Sequence, residues 1–335
     1  MNLKNLRKDP KSLFYLFLEA YSVRFKPKKV PMLPTILQIE PTINCNLRCK
    51  MCDQPIWNRK ARDMEFENFK KILDQFPNAR KLNLQGMGEP LLNKDIFKMI
   101  RYSRSKKIFT WIITNGMLLN ENNIENLLNS KPNQIFISLD AADKKVYESI
   151  RTGSSYEKVI ENIKNLAERA EHTQIIINST LTTDNFNQIP KLLELLQTLN
   201  IKKINIQGIH TWGKKQWDYM KEKTLKSKYS EIKKELEDYK QKAKSLNIDL
   251  SYSMIEPTKN NCNWLWNSCY ITVDGFITPC CIHGSDPRKF SFGNLLKTNI
   301  KKIWNNKAYQ SLRTHLKSEN PPAFCIGCPE LKNSC

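Results

Sequence analysis

The sequence predicts an α/β fold, a partial (β/α)6 barrel followed by a small cysteine-rich domain built on a β-hairpin. Three observations carry this. From Ile36 onward, short β-branched runs alternate with amphipathic stretches, the rhythm of parallel βαβ units. Of ten cysteines, three lie at 45–52, seven at 262–335 and none between, which scattered core cysteines would rarely produce. Asp274-Gly275, flanked by β-rich runs, is a hairpin signal inside the second cysteine field.

Residues 1–34 read as an N-terminal helix, about 11–23, and a basic linker, Arg24 to Pro34, in which Pro27, Pro31 and Pro34 forbid continued helix. Strands are expected at 36–40, 81–85, 109–114, 134–139, 174–181 and 203–207. Helices near 65–76, 94–105, 121–129, 156–170 and 187–199 lie between them. A helix at 225–246 and a strand at 248–253 close a core of 35–255, and residues 256–335 form the second domain, with a helix at 300–316.

The chain of 335 residues, 40% apolar and 26% charged, is globular in composition. Its net charge of +21 is spread over nearly every predicted helix. In the densest stretch, 214–244, the bases alternate with Asp218, Glu222, Glu231, Glu235, Glu237 and Asp238. That pattern describes solvated faces, so nucleic acid is not the expected partner. No run of eighteen apolar residues exists, so no transmembrane segment is expected. Glu19 interrupts the apolar run after Leu13 and no small-residue cleavage site follows, unlike a signal peptide.

Cys45-Asn-Leu-Arg-Cys49-Lys-Met-Cys52 places three thiols in eight residues, which must share a metal or a mutual oxidation. A closed zinc site takes four protein ligands, whereas three cysteines leave one corner of a cubane [4Fe-4S] cluster open. A zinc site completed from elsewhere, or cysteines packed as small hydrophobes, remain the alternatives on spacing alone.

CxxxCxxC after a short strand resembles the signature loop of the radical S-adenosylmethionine (SAM) enzymes. The resemblance runs over about 36–210 on motifs at successive βα junctions: Gln85-Gly86-Met87-Gly88-Glu89-Pro90, similar to the family's Gly-Gly-Glu motif, then Thr114-Asn115-Gly116, then Ser138-Leu139-Asp140. It implies a radical SAM barrel in which SAM chelates the open iron. Gly86 and Gly88 would let the backbone approach SAM, and Glu89 or a nearby carbonyl would accept from its ammonium. Asn115, Ser138, Asp140 and Gln207 would face the cofactor, Arg151 its carboxylate, and Asn178, Thr180 and His210 the cavity. Asp140 has a second reading, as the N-cap of the next helix.

The second cysteine field resembles the SPASM and twitch domains, through Asp274-Gly275, Phe292-Gly293-Asn294-Leu295, Ile303-Trp304-Asn305 and Leu312-Arg313. In that class the first ligand precedes the hairpin glycine by ten to sixteen residues and the second follows by five. Cys262 and Cys280 fit, Cys281 is the rival of Cys280, and Cys269 is too close. Adding Cys325 and Cys328 gives four ligands for one auxiliary [4Fe-4S] cluster, with a zinc module on the same thiols as the alternative.

The resemblance implies an enzyme that reductively cleaves SAM to a 5′-deoxyadenosyl radical and abstracts a hydrogen atom from its substrate. The expected reaction is a two-electron oxidation of a small or sugar-like molecule, with the auxiliary cluster accepting an electron. A peptide substrate with the same electron flow, an RNA-modifying enzyme and a non-enzymatic zinc-binding protein are the alternatives. A low-potential donor such as flavodoxin or ferredoxin and a reducing cytoplasm belong to the expectation.

Overall fold

The computed structural model describes residues 10–52, 54, 59–209, 222–253, 255, 262–281, 287–318, 322, 325 and 328. His210, the bases of 214–221 and Cys335 lie outside them. The strands are β1 (Ile36–Ile39), β2 (Lys81–Leu84), β3 (Phe109–Thr114), β4 (Gln134–Ser138), β5 (Gln174–Leu181), β6 (Lys203–Gly208), β7 (Asp249–Ser253), β8 (Ser268–Ile271), β9 (Phe276–Thr278) and β10 (Gly293–Asn294). Their order in one sheet is β10-β9-β8-β1-β2-β3-β4-β5-β6-β7. From β8 to β7 every pairing is parallel.

The helices are α1 (Pro10–Phe25), α2 (Phe66–Leu73), α3 (Ile96–Ser105), α4 (Glu121–Asn129), α5 (Lys144–Ile150), α6 (Tyr156–Arg169), α7 (Ile189–Thr198), α8 (Tyr229–Ser245), α9 (Trp264–Asn267), α10 (Pro287–Phe290), α11 (Ile300–Ile303) and α12 (Lys307–Lys317). The crossover helices bury apolar residues at helical spacing, such as Val159, Ile163 and Leu166 on α6 and Ile189, Leu192, Leu193 and Leu196 on α7. These close over Ile135, Ile137, Ile177 and Ile204 of the strands, all without solvent exposure. One core results, and it leaves the strands' carboxyl ends free to carry ligands.

Three features depart from the sequence reading. Helix α5 was not expected; Asp143 starts it by accepting from the Val146 N–H at 3.0 Å. The helix expected at 300–316 is two, because Asn306 caps α12 on the Tyr309 N–H at 2.9 Å while Asn305 is drawn aside to bond both backbone groups of Val30. The hairpin β8–β9 forms as expected, but only Gly275 takes a positive φ, +80°. Its loop is Val273-Asp274-Gly275, closed by the Gly275 N–H on the Thr272 carbonyl at 2.8 Å.

Strand β8 pairs with β1, Leu37 beside Cys269, so the hairpin of the second cysteine field extends the barrel sheet. The linker before β1 is also fixed to this region. Trp266 Nε1 donates to the Pro27 carbonyl at 3.0 Å and Trp304 Nε1 to that of Met32 at 2.8 Å. Arg313, wholly buried, donates to the carbonyls of Lys28, Leu265 and Trp304 and stacks on the Trp304 and Tyr309 rings. Burial brings its guanidinium down to about 10, since these partners are neutral.

Candidate active site

The thiol loop follows β1 and is held by backbone on either side of Cys49. The Arg48 N–H bonds the Thr152 carbonyl at 2.9 Å and the Lys50 N–H that of Ile150 at 3.0 Å, so the corner after α5 clamps the loop. The Cys52 N–H closes a turn on the Cys49 carbonyl at 3.0 Å. All three thiols are reduced, half-buried and line one cavity. Burial pushes the Cys45 and Cys49 thiols up, with Arg151 partly opposing it at Cys49. Their thiolates therefore need a further cation, which a cluster iron provides. A cubane takes one thiolate per iron and so requires thiols around a cavity. Among the described residues no three ligand-type side chains converge on a single ion.

The opposite wall comes from the other strand ends. Gly86, Gly88, Glu89, Asn115, Ser138, Arg151 and Gln207 all line the same cavity, as does Thr180. Seven of the eight residues expected around SAM thus meet the three thiols, although they come from five separate junctions. Asn178 sits one row below, its Oδ1 accepting from Asn205 at 2.7 Å.

Asp140 is the exception. Its carboxylate is wholly buried behind the wall, accepting from Arg151 Nε at 2.6 Å and from the Thr180 N–H at 2.7 Å. Neither expected role holds in this geometry: the cap of the next helix is Asp143, and Asp140 faces Arg151 across α5. Burial alone would lower the Arg151 guanidinium, but Asp140 more than offsets it and keeps it charged beside Cys49.

Glu89 is buried, and its carboxylate accepts from Thr114 Oγ1 at 2.7 Å, the Asn115 N–H at 2.7 Å and the Leu91 N–H at 3.2 Å. Burial still pushes it above the usual carboxylate range. A carboxylate offers about four lone-pair positions, so one acceptor site is left for a cationic ligand group. The Thr114 role lay within the quoted Thr114-Asn115-Gly116 motif, but only β3 pairing beside β2 reveals it.

The two glycines serve protein packing. A Cβ on Gly86 would lie 2.2 Å from Glu40 Cγ, and one on Gly88 would lie 2.4 Å from the Asn44 carbonyl oxygen. Where a Cβ would stand, the thiol loop and its anchor fill the space, while both glycines still line the cavity. Glu40, absent from the sequence reading, is that anchor. Wholly buried, it accepts from Arg59 at 3.0 and 2.8 Å, the Met87 N–H at 3.1 Å and the Val273 N–H at 3.0 Å. The Glu40 charge overcomes burial and raises Arg59.

In the second cysteine field, Cys262, Cys280, Cys325 and Cys328 are reduced and half-buried. Burial pushes Cys325 up to about 12, with Cys328 and Cys262 adding to it, so these three thiols lie close enough to influence one another. Burial pushes the Tyr309 and Tyr270 hydroxyls well up, with Cys280 adding to it at Tyr309 and its rival Cys281 at Tyr270. Cys269 is wholly buried within β8 as part of the apolar core.

Comparison with known proteins gives the same division of the chain. Residues 39–196 match the family model described as the Radical SAM superfamily, and residues 262–329 the model described as the SPASM iron-sulfur cluster-binding domain. A relative from Pyrococcus furiosus, the tungsten-containing aldehyde ferredoxin oxidoreductase cofactor-modifying protein, is 27% identical over 320 residues, 89% of this chain and 88% of its own. Streptococcus suis SuiB bound to S-adenosylmethionine superposes with a TM-score of 0.73 at 20% identity, over 95% of this chain and 75% of SuiB. Native anSMEcpe with bound AdoMet gives 0.67 at 18% identity, over 85% of this chain and 84% of that one. At such identities the likeness to the solved structures is one of fold.

Proposed function

Because the chain belongs to the radical SAM superfamily and carries a SPASM iron-sulfur domain, we propose that it catalyses the two-electron oxidation of a C–H centre in a small, hydroxyl-rich molecule. It is an enzyme that uses a [4Fe-4S] cluster with SAM and an auxiliary cluster. When bound, these groups supply a 5′-deoxyadenosyl radical by one-electron cleavage of SAM, and an acceptor for the electron that the substrate gives up with a proton after losing its hydrogen atom.

The observation that carries the reading is the convergence of Cys45, Cys49 and Cys52 with Glu89, Asn115, Ser138, Arg151 and Gln207 on one cavity. In this reading the three thiols hold the first cluster and Cys262, Cys280, Cys325 and Cys328 the auxiliary one. Glu89 accepts from the SAM ammonium, and Arg151, kept charged by Asp140, pairs with its carboxylate. Gln85, Ser138, Thr180 and Gln207 offer a substrate neutral hydrogen-bonding groups, which suit hydroxyls. The P. furiosus relative, which spans a similar length, is named for modifying a cofactor and supports a small-molecule substrate. A low-potential donor such as flavodoxin or ferredoxin, in a reducing cytoplasm, completes the scheme.

A peptide substrate is the second reading. Amides satisfy the same neutral groups, and SuiB has been solved with its precursor peptide SuiA at a TM-score of 0.70. Anaerobic turnover with hydroxylated small molecules and with peptides tests both. The proposal expects a product lighter by two hydrogen atoms from the former, with 5′-deoxyadenosine formed in step. In Cys325→Ala/Cys328→Ala, SAM cleavage is expected to persist while the oxidised product is lost. Oxidation of peptides alone would transfer the assignment to the second reading, and full oxidation by the double variant would remove the auxiliary cluster from the reaction.

A further inference from the structure

Helix α1 presents Leu13, Phe14, Phe17, Tyr21 and Phe25 to water, each between 39% and 65% exposed. With 3.6 residues per turn these five fall within an arc of about 120°, so they form one face. The other face is seated. Ser22 is buried, Glu19 pairs with Arg80 and accepts from Asn267 Nδ2 at 3.4 Å, and the helix packs on α9. Nothing among the described residues covers the aromatic stripe. Five large apolar side chains in one contiguous row exceed the scattered exposure that a folded surface ordinarily shows.

Charge specifies the occupant. Residues 1–34 carry eight Lys and Arg side chains, from Lys4 to Lys29, against Asp9 and Glu19 alone. Glu19, the one acidic residue of α1, is turned inward to Arg80, which leaves α1 no outward acidic group. Arg24 lies over the Phe25 ring at 5.7 Å, and Lys28 and Lys29 are exposed just beyond the helix. An aromatic stripe bordered by bases fits a surface that is apolar inside and anionic at its rim. A bilayer containing acidic lipids has that chemistry, whereas a second copy of this basic chain, net charge +21, would repel. No described helix is long and apolar enough to cross a membrane, so α1 would lie in its plane.

We propose that α1 docks this enzyme peripherally on an anionic lipid bilayer, with the aromatic stripe at the acyl boundary and the flanking Lys and Arg at the headgroups. Arg80 and Asn267, the seats of α1, immediately precede β2 and β8, at the amino ends of the parallel strands. The cavity lies at the carboxyl ends. Docking through α1 therefore turns the cavity away from the bilayer and leaves it open to water-borne substrate and electron donor.

The test is cosedimentation of the reconstituted full chain with vesicles of phosphatidylglycerol mixed with phosphatidylcholine, and with vesicles of phosphatidylcholine alone. Binding to the anionic vesicles is expected, weakening as salt rises. Phe14→Ser/Phe17→Ser/Phe25→Ser should lower it by roughly tenfold or more while SAM cleavage and melting temperature stay unchanged. Lys28→Glu/Lys29→Glu should lose part of the salt-sensitive component. Failure of the wild type to bind anionic vesicles would overturn the proposal, as would equal binding by the triple serine variant. A dimer that the serine variant abolishes, without vesicle binding, would assign the face to a second copy instead.

Discussion

The carboxylate of Glu40 accepts the backbone N–H of Val273, 233 residues away in sequence, at 3.0 Å in a buried setting. The same carboxylate holds Arg59, just after the cluster loop, and the Met87 N–H of the glycine loop. Three segments, the one after the thiol loop, the glycine loop of the cavity wall and the auxiliary-domain hairpin, thus share one acceptor. A shift in any of them is felt by the other two.

Glu40→Gln keeps the shape but leaves the Arg59 charge, 9% exposed, without its counter-ion. Breaking a buried pair in this way costs about 3 kcal/mol or more. Denaturant unfolding should show that loss, and Glu40→Gln/Arg59→Met should recover a large part of it. A change in the single variant below about 0.5 kcal/mol would mean that the pair is replaceable by solvent.

Gly88→Ala should be worse for catalysis than its size suggests. The added Cβ meets the backbone oxygens of Asn44 and Thr42, at 2.4 and 2.6 Å, and neither can rotate away. A displacement of that order at a cofactor wall costs roughly 100-fold in rate. SAM cleavage should fall by that factor with iron content retained, whereas equal loss of iron would place the damage in the cluster loop itself.

Much of this was legible in the sequence. The β-branched runs placed β1 to β6 because their burial is local and periodic, and the thiol, glycine and Asn-Gly motifs fell at strand ends as that rhythm required. What escaped depends on contacts distant in sequence. The β1–β8 pairing joins segments more than two hundred residues apart, and no local pattern encodes it. The Asp140–Arg151 pair needed the unexpected α5 to fold the chain back. Glu40 looked like the end of a strand until Arg59, Met87 and Val273 gathered on it.

Acid sensitivity should trace in part to Asp95. Its hydrogen bond with Lys98, at 2.7 Å, holds its carboxyl below the usual range. A depressed folded value contributes stability above the unfolded value of 3.8, lost as pH falls through the folded one. Asp95→Asn should therefore melt lower than wild type near neutrality, and the two curves should converge in strong acid. A constant difference at all pH values would assign the effect to packing.

Cys269 and Cys262 separate core packing from cluster binding. Cys269→Ala removes a buried thiol from β8 and should cost about 1 kcal/mol of stability while leaving iron unchanged. Cys262→Ala should lose about four irons, one cubane. Iron loss in Cys269→Ala instead would require a different ligand set.

The most direct measurement is iron and acid-labile sulfide per chain after anaerobic reconstitution, with 5′-deoxyadenosine assayed alongside, on wild type and on Cys45→Ala/Cys49→Ala/Cys52→Ala. Two cubane clusters with separate roles require about eight irons in the wild type and about four in the variant, with SAM cleavage abolished. Zinc in place of iron, or undiminished cleavage by the variant, would contradict the assignment of the three thiols to the SAM-binding cluster.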